Sequence, residues 1–366
     1  MQLVGAVLIG RNEGERLERA LHAACAQTDR VVYVDSGSTD GSVAFAHTLG
    51  VSVVELNMDE PFTAARARNA GADRLLQVYP DTTIVQFIDG DCELVPGWLE
   101  FAAEALESNA KLAAVCGRVH ELCPEASVYN RLIDLEWDTP VGPAESCGGI
   151  AMFRIRAFTD VGRFDPTVAA GEEPELCMRL RAAGWAIERL DHDMALHDAA
   201  ITRLSQWLKR SVRTGRGSLD LVTRFGDNGS GFGAIVKRAR FWGLYLPIAV
   251  VVFGLLPVVG FGVLLLFTSE LWVFVGLWIA IFVLMCLLSL YGAKFSATFL
   301  RASVRGLTVN EAKAYAMLDL IGKFAEVRGQ WGYLRDQKQG RTTRLIEYKN
   351  APPVTHGGAG VEAKQA

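Results

Sequence analysis

Residues 83–91 read Thr-Ile-Val-Gln-Phe-Ile-Asp-Gly-Asp. A β-branched, mostly apolar run that meets an acid and a glycine predicts a buried strand ending in a turn. It delivers Asp89 and Asp91 to the strand's carboxyl end. Working outward, the same grammar repeats. Residues 4–9 form an apolar run, and 13–26 place Leu17, Ala20, Leu21 and Ala24 on one helical face. Residues 30–34 predict a second strand ending at Asp35, followed by turn chemistry over 36–41 and a helix over 42–49. A strand over 51–56, a helix over 63–79 and a helix over 96–108 continue the series. Repeated β-α-β units predict an α/β fold with a mostly parallel sheet and helices on both faces. Ligands of such sheets bind beyond the carboxyl ends of the strands, where Asp35 and Asp89 fall.

Residues 114–200 are less regular, and only one element is predicted there, an amphipathic helix over 176–183 stopped by Gly184. The first fifteen residues reach charge too soon for a secretory leader, so residues 3–9 are expected as a first buried strand. Seven cysteines, an odd number with no C-x-x-C spacing, argue against a disulfide framework and fit reduced thiols in a cytosolic domain. The net charge of −4 excludes a bulk nucleic-acid binder.

From 241 to 293 only Glu270 is charged. A single helix of that length would extend roughly 80 Å, whereas a bilayer core is about 30 Å thick. Two spans, 241–267 and 271–293, joined at Thr268-Ser269-Glu270, are therefore expected. Lys237, Arg238 and Arg240 precede the first span, Lys294, Arg301 and Arg305 follow the second, and the connecting turn has no basic residue. The positive-inside rule then places both flanks and the N-terminal domain in the cytoplasm, on an inner or plasma membrane. The expected organisation is an N-terminal α/β domain over 1–230, a transmembrane hairpin over 231–295, a cytoplasmic amphipathic helical segment over 296–350 and a disordered tail over 351–366. The helix expected over 203–216 carries Leu204, Trp207, Leu208 and Val212 among basic residues. It reads equally as a helix lying on anionic lipid or as a basic surface helix of the domain.

Two carboxylates spaced by a glycine chelate a hard cation or hold a ribose hydroxyl. Mg2+ and Mn2+ favour oxygen ligands and share them with phosphates. The segments around this motif together resemble the family 2 glycosyltransferases, with their A-type nucleotide-diphospho-sugar fold. The resemblance is carried by Arg11-Asn12-Glu13, DSGSTDG at 35–41, ARNAG at 67–71, DGD at 89–91, GGIAMFR at 148–154, VGRFD at 161–165 and GEEPELCMRLRAAGW at 171–185, in family order. It implies that Asp35 meets the nucleotide base, that Arg68, Asn12 and Glu13 lie near the nucleotide sugar, and that Asp89 faces the ribose. It implies further that Asp91 binds Mn2+ or Mg2+, with Asp89 as a second candidate ligand. Glu173 matches the catalytic base. The family often has Glu-Asp where this chain has Glu172-Glu173, so Glu172 stays as the alternative. His197 is either a late metal ligand or a histidine bonded to its neighbours. Arg210 and Arg213 match the geometry of a diphosphate or of lipid headgroups.

The resemblance implies an inverting, metal-dependent transfer from a nucleotide-diphosphate sugar to a lipid-linked, glycan or membrane-proximal acceptor in polysaccharide or glycolipid assembly. The partners expected are that donor, the acceptor and membrane lipids, with no nucleic acid. Gly10-Arg11-Asn12-Glu13-Gly14 fails the G-x-G-x-x-G fingerprint of a dinucleotide-dependent oxidoreductase. Gln206-Trp207-Leu208-Lys209-Arg210 lacks the order of the processive synthases' Q-x-x-R-W motif. The rival from another class is a catalytically silent membrane scaffold that keeps the fold to bind a partner.

Overall fold

In a computed structural model, residues 3–227 and 231–341 are described. The tail expected over 351–366 lies outside them. The sheet is built from β1 (Val4–Gly10), β2 (Val31–Asp35), β3 (Ser52–Glu55), β4 (Ile84–Asp89), β5 (Cys92–Leu94), β6 (Leu112–Glu121), β7 (Gly142–Pro143), β8 (Ala151–Arg154) and β9 (Ala186–His197). Its order is β3-β2-β1-β4-β8-β6-β9-β5, with β7 on β9. The half built from β1 to β4 is wholly parallel. In the other half β8 runs antiparallel between β4 and β6, while β6 and β9 pair in parallel. Strands β7, β8 and β9 and most of β6 lie in the 114–200 stretch read as irregular. The reason is visible in β9, where charged residues interrupt the apolar ones and the register with β6 shifts three times. Neither a clean alternation nor an apolar run results.

Helices α1 (Glu15–Cys25), α2 (Ser42–Thr48), α3 (Ala64–Val78) and α4 (Trp98–Ser108) fall where the periodicity puts them, trimmed by a residue or two. Strands β1, β2 and β4 are buried on both faces, as expected of a parallel sheet covered by helices. Register aligns Gly10 with Asp35 on one side of β1 and Ile9 with Asp89 on the other. After β1 the chain runs outward through β2 and β3, then returns to pair β4 with the opposite edge of β1. That reversal opens a crevice at the carboxyl ends, which is where such sheets bind ligands. On α3, a Cβ added to Gly71 would stand 2.2 Å from a Val7 methyl, so the glycine lets the helix lie directly on the sheet. One turn earlier on the same face, Arg68 is thereby brought under the end of β4.

Helices α5 (Val128–Trp137), α6 (Ile155–Asp160) and α7 (Glu172–Ala182) complete the domain. Helix α7 begins four residues before the predicted start. Helix α8 (Leu204–Phe225) carries the basic segment, and its Trp207 is buried in a cluster with Leu132 and Ile133 of α5. It is thus a helix of the domain. Next come α9 (Phe232–Leu264), with two π segments, and α10 (Leu271–Val304). Both are long and apolar enough to cross a membrane, and only 17% and 11% of their apolar windows are buried, unlike the core helix of a soluble protein. The break falls at 265–270, as read from Thr268-Ser269-Glu270, but both helices extend past the apolar run at its outer ends. Helix α11 (Val309–Lys338) starts with a capping box between Thr308 and Glu311. It is fastened to α8 by Arg216, which donates to Asp336 (2.8 Å), and to α9 by Arg240, which donates to Gln330 (2.9 Å).

Candidate active site

The crevice is a cleft of about 930 Å3. Of the residues singled out from sequence, Asn12, Glu13, Asp89, Asp91, His197, Arg210 and Arg213 line it together. Its lining also includes Leu221 of α8 and Phe232 and Ile235 of α9. Asp35, Arg68, Glu172 and Glu173 lie behind this wall, each buried.

Asp35 accepts hydrogen bonds from the Tyr33 hydroxyl (2.8 Å) and from the backbone N–H groups of Gly37 (2.9 Å) and Ser38 (2.8 Å). Its carboxylate therefore holds the 36–41 turn in place. That turn is tied in its turn to the loop after β1. The Thr39 N–H donates to Asn12 Oδ1 (2.7 Å), the Gly14 N–H donates to Asp40 (3.1 Å), and Glu13 pairs with Arg16 (2.9 Å).

Arg68 joins the two acidic motifs. Its guanidinium donates to Asp89 (2.7 Å) and to Glu172 (2.6 Å) and is only 2% exposed. Burial works against the charge, but Asp89 and Glu172 outweigh it, and the Arg68 pKa stands above its ordinary value. The two pairs tie Asp89 at the end of β4 to the start of α7.

The three acids in the first turn of α7 have three different partners. Glu172 faces Arg68, Glu175 forms a two-point pair with Arg179 (2.6 Å), and Glu173 turns into the core. There Glu173 Oε1 accepts from the Cys147 N–H (2.6 Å), the Cys177 thiol (2.9 Å) and the Cys147 thiol (3.1 Å). Burial pushes the Glu173 pKa up, and these donors restrain the rise. Burial also raises both thiols, Cys177 to about 11, so they remain protonated donors. Cys147 and Cys177 are contributors that the sequence did not single out. The spacing of Cys177 one helical turn after Glu173 was the available signal.

On the other side of β4, Asp91 and His197 face each other, His197 Nε2 lying 3.7 Å from an Asp91 oxygen. His197 Nδ1 meets Glu121 at 2.8 Å, and the second Glu121 oxygen accepts from the Ala199 N–H (2.8 Å). Glu121 was not foreseen. It lies 76 residues from His197 in sequence, and only the pairing of β6 with β9 brings them together. The ligand atoms of Asp91, Cys92 and His197 all lie within 4.8 Å of one another. Burial pushes the Cys92 thiol well up, which leaves Asp91 and His197 as the pair suited to a hard cation. Trp137 adds an aromatic wall to the cleft, its ring 5.7 Å from that of His197.

With this geometry in view, comparison defines the class. The family model described as glycosyl transferase family group 2 matches residues 84–291, and the one described as glycosyl transferase family 2 matches residues 6–158. The chain belongs to the family 2 glycosyltransferases and is a glycosyltransferase. It is 24% identical over 234 residues to glycosyltransferase AglE of Haloferax volcanii, covering 60% of this chain and 74% of that one. It is 28% identical over 214 residues to the pre-mycofactocin glycosyltransferase of Mycobacterium tuberculosis, covering 54% of this chain and 43% of that one. The fold is similar to that of a mannosyltransferase from Pyrobaculum calidifontis solved with GDP-mannose and Mn2+. There the TM-score is 0.53 and the identity 15%, over 90% of this chain and 87% of that one.

Proposed function

We propose that this glycosyltransferase moves a sugar, with inversion, from a nucleotide-diphosphate donor to a lipid-linked or membrane-proximal acceptor at the cytoplasmic face of a membrane. Polysaccharide or glycolipid assembly is the setting. The observation that carries the proposal is the reach of the cleft. It is lined both by Asp89, Asp91 and His197 and by Phe232 and Ile235 of a membrane-length helix. A polar donor and an acceptor rooted in lipid would meet in such a space. The basic flanks of the two apolar helices support a cytoplasmic catalytic domain over 1–230 and an anchor over 231–295.

In this reading Asp35 and its turn, with Asn12 and Glu13, receive the nucleotide, and Asp89 receives the ribose. Asp91 and His197 fit Mn2+ or Mg2+, and Asp89, which lines the same cleft, is the further candidate ligand. The mannosyltransferase of similar fold was solved with Mn2+. A bound cation would offset the charge that grows on the departing nucleoside diphosphate. Arg210 and Arg213, which line the same cleft, would hold the diphosphate. Glu173 is preferred over Glu172 as the base. Both glutamates have buried partners, but burial leaves Glu173 with a raised pKa, nearer to what proton removal from a hydroxyl requires, and its carboxylate would leave Cys147 and Cys177 to reach the acceptor.

The test is to incubate detergent-solubilised protein with radiolabelled UDP-, GDP- and dTDP-sugars and a membrane-lipid extract. Label moving into the organic phase from one donor is the expected result. Label moving only into water-soluble glycan would refute the lipid-linked acceptor. The silent-scaffold alternative finds no support in the site, where every acidic position that the chemistry needs is filled.

A further inference from the structure

Helix α11 segregates its charges with unusual completeness. It carries four acids, and all have partners away from the outer face. Glu311 closes the capping box with Thr308, Asp319 pairs with Lys294, Glu326 with Lys323 (2.7 Å) and Asp336 with Arg216 (2.8 Å). The opposite face is exposed. Met317, Ile321, Phe324 and Trp331 stand on it, with Trp331 56% and Phe324 47% exposed. Interleaved with them are Lys313, Arg328, Arg335 and Lys338, also exposed. The eight follow one another in steps of three or four residues, which is a single helical stripe of large apolar and cationic side chains without an acid.

Two contacts set the level of this stripe. A Cβ added to Gly243 would stand 2.5 Å from the Lys323 carbonyl oxygen and 3.0 Å from the Phe324 nitrogen, so α11 crosses α9 in direct backbone contact there. Gly243 is two residues inside the apolar run that begins at Phe241. Lys294, which holds Asp319, comes directly after the second run ends at Ala293. Both ties fall where the two long helices change from apolar to polar. Helix α11 therefore packs on α9 and α10 at the level where their apolar runs end.

We infer that the outer face of α11 docks onto the anionic leaflet of a lipid bilayer. This rests on the membrane anchor proposed for α9 and α10. Trp331, Phe324, Ile321 and Met317 enter the headgroup region, while the Lys and Arg residues between them meet lipid phosphates. Through Asp336 and Arg216, α11 holds α8 and with it Arg210 and Arg213, so the cleft is fixed against the membrane surface.

The test is quenching of tryptophan fluorescence by brominated phosphatidylcholine in vesicles carrying the full chain, with or without phosphatidylglycerol. The Trp331 contribution is the difference between the wild type and Trp331→Phe. Quenching of that contribution, stronger with phosphatidylglycerol, is expected. The remaining signal includes Trp272 and Trp278 of α10, 59% and 70% exposed, and reports the anchor separately. If that signal is quenched and the Trp331 difference is not, the inference is wrong and the anchor stands. If neither is quenched, both fail. Arg328→Glu with Arg335→Glu should abolish the enhancement by phosphatidylglycerol. Retained enhancement would overturn the assignment to anionic lipid.

Discussion

His197 Nδ1 lies 2.8 Å from the Glu121 carboxylate, and the same imidazole turns Nε2 toward Asp91. A carboxylate at Nδ1 favours the tautomer protonated there and leaves the Nε2 lone pair directed at the cleft. Metal-binding histidines are commonly held by such a partner, and its loss typically costs 10–100-fold in metal affinity, by order of magnitude. Glu121→Gln should weaken Mn2+ binding by roughly that factor. Mn2+ titration followed by electron paramagnetic resonance checks it. Unchanged affinity would remove His197 from the metal site.

Arg68 is the second point of vulnerability. Replacing it with Met would leave Glu172 buried beside an unpaired Asp89. Breaking a buried ion pair from one side costs about 3–5 kcal/mol. The Asp89 side chain is 39% exposed, so water recovers part of this, and about 3 kcal/mol is expected. Denaturant unfolding of Arg68→Met measures it. Stability within about 0.5 kcal/mol of wild type would show that the bridge is not structural.

The thiols around Glu173 make a prediction with a definite sign. Cys147 and Cys177 donate to its carboxylate and favour the ionised form. Removing them with Cys147→Ala and Cys177→Ala raises the Glu173 pKa further. A base works only when ionised, so the acidic limb of the kcat/KM profile should move to higher pH. Glu173→Gln should lower kcat by at least about 100-fold while donor binding persists. A profile unmoved by the double substitution, with Glu173→Gln still active, would transfer the role to Glu172.

Arg210 and Arg213 line the cleft together. Arg210 is engaged by Glu136 (2.6 Å) and lies over the Trp207 ring at 5.6 Å. A charge-assisted hydrogen bond is worth about 1.5–3 kcal/mol. Arg213→Ala should therefore raise the donor KM by roughly ten-fold or more, and initial-rate kinetics decide it. A change confined to kcat would place Arg213 away from the ground-state diphosphate.

The parallel half of the fold was legible because its strands are buried on both faces, and continuous apolar runs such as 84–88 announce them. Asp89, Asp91, Asn12 and Glu13 could be read together because each follows directly on such a strand. His197 and the Glu172–Glu173 pair were visible by motif, but their orientation was not. Local spacing says nothing of whether a carboxylate in the first turn of a helix faces the cleft, an arginine 104 residues away or a pair of thiols. Strands β6 and β9 escaped because their polar residues are satisfied across the sheet. Glu121 and Arg189 are examples, both buried and bonded to distant segments. Such long-range satisfaction leaves no periodic trace in the chain.

The most direct measurement of the central claim is nucleoside-diphosphate release by the purified full chain across a panel of nucleotide sugars with Mn2+ or Mg2+, alongside Asp91→Ala. Release from one donor, abolished by chelation and reduced at least about 100-fold in Asp91→Ala, is the predicted result. Full turnover in Asp91→Ala, or in the presence of chelator, would contradict a metal-dependent transfer centred on Asp91.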